Sequence, residues 1–186
     1  MKQVLHVGCG APSPTSLYSF FRVTGFREVR LDIDPDCKPE IISSITEMPM
    51  IADCSYDAIY SSHNLEHLFP QEVPEALGEF HRVLKPGGIA LVTMPDIQDA
   101  AEMIVNDGLE ETAYMSPCGP VWPMDCVYGH RITFADKKIF ALHKTAFTAT
   151  RLKRVLKEAG FEYAHAIRDN FILWGVARKA GELVID

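Results

Sequence analysis

Three residues in the segment SSHNLEHLF have the types and the spacing of a metal site. His63, Glu66 and His67 fit the pattern H-x-x-E-H, in which two histidines one helical turn apart bind zinc in some peptidases. The sequence offers no recognisable third ligand, and short motifs of this kind often match by chance. Whether these residues hold zinc or serve another site depends on the segments around them.

A second group of candidate residues lies in VLHVGCGAP, near the amino terminus. Gly8 and Gly10 follow a buried-strand pattern, where glycines let the backbone approach a bound nucleotide and the next helix points its N-terminus at the ligand. A dinucleotide fingerprint would need a third glycine at Ser13, which disfavours NAD and FAD. A tight strand-to-helix turn without a ligand would have the same glycines.

A carboxylate follows the second predicted strand, in RLDIDPD. Asp32, with Asp34 as second choice, can accept hydrogen bonds from both hydroxyls of a ribose. Its position roughly twenty residues after the glycines favours this interpretation over solvated aspartates at the start of a proline turn. The pattern therefore predicts a nucleoside site between the first two strands.

Alternating apolar runs and helical patterns predict the elements that position these residues. They indicate an α/β fold, doubly wound and Rossmann-like, with a seven-stranded, mostly parallel sheet and a terminal antiparallel hairpin. Asp96 and Thr148 are predicted helix N-caps, and KPGG is a predicted helix stop. The predicted strands are QVLHVG, EVRLDID, EIISSI, YDAIYSS, IALVTMP, FEYAHAIRD and NFILWGVARK.

The stretch 108–143 interrupts this alternation. It is rich in proline, glycine, aromatic residues and histidine, and a long loop-like insert in a compact domain is often functional. We expect one domain over 1–186, with this insert acting as a lid. Covering a sheet edge or forming a dimer contact is the alternative role.

The order of VLHVGCG, LDIDPD, YDAIYSSHNLEHL and LKPGGIALVTMPD resembles class I S-adenosylmethionine-dependent methyltransferases, especially the type 11 group. The closing FTATRLKRVLKEAGF is also similar to that group, so the resemblance covers most of the chain except the insert. It implies S-adenosyl-L-methionine as cofactor. It also implies that Glu66 and His67 are framework and pocket-rim residues, so we predict no metal.

The resemblance carries over to a set of cofactor residues. The ribose is expected on Asp32 and the adenine near Ile45 and Thr46; the full predicted set is Gly8, Gly10, Asp32, Ile45, Thr46, Ser62 and His63. The chain departs from the family at His6, where an acidic residue is usual, and at Pro12, where a third glycine is usual. Asp53, Asp57 or backbone carbonyls are the candidates to replace the missing acid, unless cofactor affinity is reduced.

Methyl transfer to oxygen or nitrogen also needs a base and contacts to the acceptor. His63, His130 and Tyr128 are the predicted catalytic residues, and Arg131 and His143 are predicted to bind the substrate, with Arg131 as an anion clamp. Aromatic residues of the insert that simply cover the sheet would produce the same pattern. His143 is also a candidate base, and the HKT segment could instead orient the last helix.

The composition narrows the possible partners. A net charge of -7 makes nucleic acid a poor candidate, and no run of residues approaches the length of a membrane span. The five scattered cysteines suit reduced thiols in the cytoplasm. Together with the methyltransferase resemblance, these observations lead us to expect a cytoplasmic monomer or homodimer that methylates a small molecule. A catalytically weak methyltransferase fold acting as a binding module is the alternative, and a nucleotide-dependent oxidoreductase is a third possibility.

Overall fold

The computed structural model describes residues 1–116, 119–131 and 141–182. The helices are α1 Ser19–Val23, α2 Glu72–Val83, α3 Ile97–Val105, α4 Pro123–Tyr128 and α5 Ala149–Glu158, with 3₁₀ turns at Pro35–Cys37 and Leu65–His67. The strands are β1 Gln3–Val7, β2 Arg27–Asp32, β3 Ile41–Ile42, β4 Tyr56–Ser62, β5 Leu84–Pro95, β6 Tyr114–Ser116, β7 Gly119–Val121, β8 Tyr163–Asp169 and β9 Ile172–Arg178.

Seven of these strands form one sheet, in the order β3-β2-β1-β4-β5-β9-β8. The pairs from β3 to β5 are parallel, and β9 is antiparallel to both β5 and β8. The predicted seven-stranded sheet with its antiparallel hairpin is therefore confirmed. The strand order reverses between β1 and β4, and open α/β sheets bind ligands beside the carboxyl ends of strands at such a point.

Side chains alternate between two apolar layers because successive strand residues point to opposite faces of the sheet. Leu5 and Ile59 join the main core, to which buried residues of α2 and α5 also belong. Their neighbours Val4 and Ala58 face the other way and pack with Phe21 of α1. Helices on both faces are the arrangement expected of a doubly wound fold.

The helix boundaries follow the capping residues. The Asp96 side chain accepts a hydrogen bond from the backbone N–H of Gln98, and the Thr148 side chain accepts one from that of Arg151, so both predicted N-caps are confirmed. Helix α2 ends at Val83, as KPGG predicts, but β5 begins directly at Leu84 rather than at Ile89. A register shift against β4 accommodates the intervening Pro and Gly residues.

The described part of the insert is more regular than a loop. Strands β6 and β7 pair in antiparallel orientation, and α4 follows with Pro123 at its first position, where a missing N–H costs nothing. Val121 and Cys126 pack against Ala100 of α3. The expectation of a loop-like insert is therefore wrong for this part of the chain, because Gly119 and Pro120 lie within β7 and Pro123 begins α4. Residues 117–118 and 132–140 lie outside the described part.

Candidate functional site

The turn after β1 is built around two glycines with left-handed backbone. Gly8 and Gly10 have φ of 61° and 62°. A Cβ on Gly8 would lie 2.5 Å from Cγ of Asn64, whereas a Cβ on Gly10 would meet nothing within 4 Å. Gly8 is therefore needed for packing as well as for its φ, while Gly10 leaves open space where a ligand can approach the backbone.

Asp32 ties this turn to the end of β2. Its Oδ2 accepts a hydrogen bond of 2.8 Å from the backbone N–H of Gly10, and its Oδ1 accepts one of 2.9 Å from that of Asp34. The carboxylate is 8 % exposed. Each oxygen has a second lone pair, so the fixed carboxylate can still accept from a ligand hydroxyl.

A cavity of about 390 Å³ opens beside this turn, at the carboxyl ends of β1, β2 and β4. Its size is within the usual range for small-ligand sites. The predicted cofactor residues Gly8, Gly10, Asp32, Ile45, Thr46 and His63 all line it, as does the second-choice Asp34. Ser62 is absent from its lining; the Ser62 Oγ accepts a hydrogen bond from Thr93.

His63 stands at the end of β4 with a strained backbone. Its φ is 48°, which a residue with a side chain rarely adopts, and its backbone N–H donates to the carbonyl of Thr93. The Nδ1 of His63 lies 3.4 Å from Oε1 of Glu66, and the His63 side chain is 42 % exposed. Burial lowers the pKa of His63, but the Glu66 carboxylate raises it by more, so the pKa lies above its ordinary value.

The H-x-x-E-H residues do not share an α-helix. Only Leu65–His67 forms a 3₁₀ turn, and His63 precedes it with left-handed backbone. The two histidines therefore do not face a common metal from one helical turn, as the peptidase pattern requires. His63 and His67 both contribute to the cavity wall.

Asn64 is a candidate that the sequence interpretation missed. It lies against Gly8 and lines the cavity. Its buried amide Nδ2 has no hydrogen-bond partner among the described residues. Such a donor usually has a partner, and a bound ligand would supply one. The only sequence signal was its position directly after His63, since its contact with Gly8 depends on the pairing of β1 with β4.

Glu66 connects the cavity wall to the segment that follows the insert. Its backbone carbonyl accepts hydrogen bonds from the N–H groups of Lys144 and Thr145. The rings of His67 and His143 lie 5.1 Å apart beside its side chain, which is 2 % exposed. Burial raises the pKa of Glu66, but His63, His67 and His143 lower it by more, so it lies below its usual value.

The structure places His143 and Lys144 differently from the prediction. Lys144 lines the cavity, with its Nζ 4.9 Å from the ring centroid of Phe69, although the sequence interpretation gave it no role at the site. His143 lies behind it, with Nδ1 2.9 Å from the carbonyl of Cys126 in α4. Burial lowers the pKa of His143 more than Glu66 and this carbonyl raise it.

Tyr128, His130 and Arg131 are absent from the described lining of the cavity. Arg131 donates from Nε to Asp125 at 3.0 Å and stacks 3.6 Å above the ring of Trp122. Its guanidinium is therefore engaged within the insert rather than extended as an anion clamp. Tyr128 is 58 % exposed, and its carbonyl accepts a hydrogen bond from the backbone N–H of His143. Through His143 the insert adjoins the Glu66 side of the cavity.

Two carboxylates proposed to replace the acid missing at position 6 lie far from the cavity. Asp57 accepts from the backbone of Gln3 and from Lys85, and Asp53 pairs with Arg82, so both lie toward the amino ends of β1 and β4. These two alternatives are therefore wrong, because the cavity lies at the carboxyl ends of the strands, whereas backbone carbonyls or a reduced cofactor affinity stay open as predictions. His6 itself is buried, with Nδ1 2.6 Å from Oε1 of Glu28.

Comparison with known proteins finds one matching family model and many solved structures of similar fold. The family model described as "Methyltransferase domain" matches residues 5–92. A search of curated proteins finds no match. In the structure itself, none of the helices in the described ranges is long and apolar enough to cross a membrane.

The solved structures include a S-adenosylmethionine (SAM) dependent methyltransferase from Archaeoglobus fulgidus, with 15% identity and a TM-score of 0.62, covering 96% of this chain and 86% of that one. A SAM-dependent methyltransferase structure from Methanosarcina mazei has 14% identity and a TM-score of 0.62, covering 97% and 93%. The 1,6-didemethyltoxoflavin-N1-methyltransferase of Burkholderia thailandensis, solved with that compound and S-adenosylhomocysteine, has 16% identity and a TM-score of 0.59, covering 96% and 72%.

Proposed function

Because the chain belongs to the S-adenosylmethionine-dependent methyltransferase family, whose domain model matches residues 5–92, we propose that it methylates an oxygen or a nitrogen of a small-molecule acceptor. The observation that carries the proposal is one cavity lined by Gly8, Gly10, Asp32 and His63. The residues expected to bind a nucleoside and a basic side chain therefore line the same cavity.

We place the cofactor's ribose on Asp32 and its adenine near Ile45 and Thr46. The open space at Gly10 and the Asn64 amide, which has no hydrogen-bond partner in the described ranges, support this placement, because they offer room and a donor on the glycine side of the cavity. When bound, S-adenosylmethionine supplies an already activated methyl group, displaced in line from its sulfonium sulfur. The protein's main tasks are then to align the acceptor and to exclude water.

We propose that His63 is the base that removes the acceptor's proton. An acceptor O–H or N–H must lose its proton as the new bond to the methyl carbon forms, and a histidine at the cavity edge is a suitable base. Glu66 lies 3.4 Å from His63, where its carboxylate can orient the ring and stabilise its protonated form. Lys144 lines the same cavity and can pair with an anionic group of the acceptor.

The insert remains a proposed lid. Its contact with the Glu66 side of the cavity through His143 supports that role, whereas the pairing of Arg131 with Asp125 argues against a direct anion clamp in this conformation. For His130 we expect His130→Ala to lower methyl transfer while leaving S-adenosylhomocysteine binding intact. Tyr128→Phe tests the predicted role of the Tyr128 hydroxyl in the same assay. Weaker cofactor binding in either variant would contradict a role confined to the acceptor.

Calorimetry with S-adenosylhomocysteine and with NADH is the first test. We expect binding of S-adenosylhomocysteine to one site per chain and none of NADH. Binding of neither compound would support the alternative of a methyltransferase fold that serves as a binding module. Binding of NADH alone would instead favour an oxidoreductase.

Methyl transfer itself is tested with S-adenosylmethionine carrying a labelled methyl group. The protein is incubated with separate pools of phenols, carboxylic acids and amines, and mass spectrometry identifies any labelled product. We expect His63→Ala to lose most of the transfer while binding S-adenosylhomocysteine normally. His165→Ala is the matched control, since His165 is exposed on β8, far along the sheet from the cavity. Equal losses in both variants would contradict the role of His63.

A further inference from the structure

Glu66, His67 and His143 meet in one cluster at the edge of the cavity. Each offers one ligand atom, and these atoms all lie within 4.8 Å of one another. Two ligand atoms on a tetrahedral zinc ion are about 3.4 Å apart, given zinc–nitrogen distances of about 2.0–2.1 Å. Side-chain adjustments on the order of 1 Å would therefore bring the three atoms around one ion.

The carboxylate of Glu66 distinguishes this cluster from ordinary neighbouring histidines. It is 1 % exposed, and neither oxygen accepts a hydrogen bond from any residue that the structure describes. Nδ1 of His63 lies 3.4 Å from Oε1 of Glu66, but His63 carries a charge only when it is protonated. Buried carboxylates without hydrogen bonds are rare, because the lost hydration must be replaced by a cation or by donors. The arrangement therefore calls for positive charge at this point.

Both histidines are held in an orientation that suits metal binding. Nδ1 of His67 is 3.2 Å from the carbonyl of Leu142, and Nδ1 of His143 is 2.9 Å from the carbonyl of Cys126. A backbone carbonyl can only accept, so each Nδ1 carries a hydrogen, and in the neutral ring each Nε2 then keeps its lone pair. Metal-binding histidines commonly have such a carbonyl partner on the nitrogen that does not bind the metal.

We propose that Glu66, His67 and His143 bind one divalent metal ion of the zinc class. Two imidazole nitrogens and one carboxylate form a ligand set of catalytic zinc sites, which leave a further position for water or substrate. His67 also lines the cavity, so that position is accessible to an acceptor there. The ion would join the 3₁₀ turn Leu65–His67 to the segment after the insert.

The sequence alone argued against a metal because a third ligand was missing. The structure supplies it from His143 and leaves His63 beside Glu66, outside the three-residue cluster. Two histidines and a carboxylate also hold non-haem iron, so the identity of the ion has to be measured. Zinc is the first choice because it suits mixed nitrogen and oxygen ligands without any redox partner.

Metal titration of the chelator-treated protein tests this site without cofactor or acceptor. Zinc is added in competition with a chromophoric chelator, and Fe²⁺ and Co²⁺ are titrated in parallel under reducing, anaerobic conditions. We expect one zinc ion per chain. His67→Asn and His143→Asn should each weaken zinc binding at least about 100-fold, because loss of a mere outer-shell partner already costs roughly 10–100-fold. Tighter binding of Fe²⁺ than of zinc would overturn the assignment to zinc.

Two controls distinguish this site from adventitious binding. His165→Asn removes an exposed histidine and should leave zinc affinity unchanged, and Cys54→Ser removes an exposed thiol that could bind zinc by itself. Far-UV circular dichroism confirms that each variant is folded. The Co²⁺ form should show the visible absorption of nitrogen and oxygen ligands. A thiolate charge-transfer band would assign the ion to cysteine and overturn the proposal.

Equal zinc affinity in the wild type, His67→Asn and His143→Asn proteins would likewise overturn it. Glu66→Gln provides a second measurement if a histidine variant does not fold, because it keeps the shape and removes the charge. It should also weaken zinc binding at least about 10-fold. Since none of these measurements uses S-adenosylmethionine, a failure here leaves the proposed methyl transfer standing, and the converse also holds.

Discussion

Asp96 and Glu66 are two buried carboxylates near the same edge of the sheet, and their surroundings differ. Asp96 is 0 % exposed, yet Oδ1 caps α3 through Gln98 and Oδ2 accepts from Nε of Arg168. Glu66 is 1 % exposed, and neither of its oxygens accepts a hydrogen bond from the described residues. Burial alone therefore does not distinguish a structural carboxylate from a functional one. The number of hydrogen bonds that its oxygens accept does.

The two positions also anchor the chain by similar backbone contacts. Asp96 donates from its N–H to the carbonyl of Phe171, and the Glu66 carbonyl accepts from Lys144 and Thr145. What differs is the charge that the fold provides for each side chain. An arginine from β8 reaches Asp96, while Glu66 faces three histidines, which are charged only when protonated. A bound cation would supply the positive charge that Glu66 lacks, whereas Asp96 already has it from the arginine.

The largest expected effect is on stability, in Asp96→Ala. We expect this change to lower the free energy of unfolding by about 3 kcal/mol, because it removes a helix cap and a hydrogen bond between charged groups. Urea denaturation followed by circular dichroism measures it. Glu158→Ala, at an exposed ion pair with Arg154, is the control and should change stability by less than about 0.5 kcal/mol. If the two variants lost a similar free energy of unfolding, Asp96 would not be a structural carboxylate.

The next effect concerns cofactor binding, in Asp32→Ala. Asp32 is an intermediate case, since backbone N–H groups occupy both of its oxygens while it also lines the cavity. We expect S-adenosylhomocysteine to bind about 1–3 kcal/mol more weakly by calorimetry, the usual cost of an unpaired polar partner. The control is Asp36→Ala, at an exposed position in the 3₁₀ turn that follows β2, and this variant should bind S-adenosylhomocysteine normally. Unchanged affinity in Asp32→Ala would make Asp32 purely structural.

The smallest expected effect is on stability, in Glu66→Gln measured in the presence of a chelator. Among the described residues, no hydrogen bond to a carboxylate oxygen is lost, and the His63 contact at 3.4 Å is an ion pair only when His63 is protonated, so we expect a change within about 1 kcal/mol of the wild type. The same urea denaturation measures it, which allows direct comparison with Asp96→Ala. A loss as large as that of Asp96→Ala would show that Glu66 is a structural carboxylate, and the contrast between the two positions would fail.

The sequence by itself determined the seven-stranded sheet, the helix caps and the residues at the turn after β1, whereas the role of those residues in binding a cofactor stays a prediction. Gly8, Gly10 and Asp32 were predictable because they stand at the ends of strands, where the pleat and the turn restrict which residues fit. The caps at Asp96 and Thr148 and the closing hairpin were predictable for the same reason. All of these features depend on residues that are neighbours in the chain.

Only the tertiary structure decided which distant residues meet. It brought Asn64 against Gly8, Arg168 to Asp96, and His143 to Glu66 and His67. It also left Asp53 and Asp57 away from the cavity and paired Arg131 with Asp125. No local pattern encodes such contacts, because they arise from the order in which strands pair and from the path of the insert. A buried carboxylate without a hydrogen-bond partner can be recognised only when all of its neighbours are known.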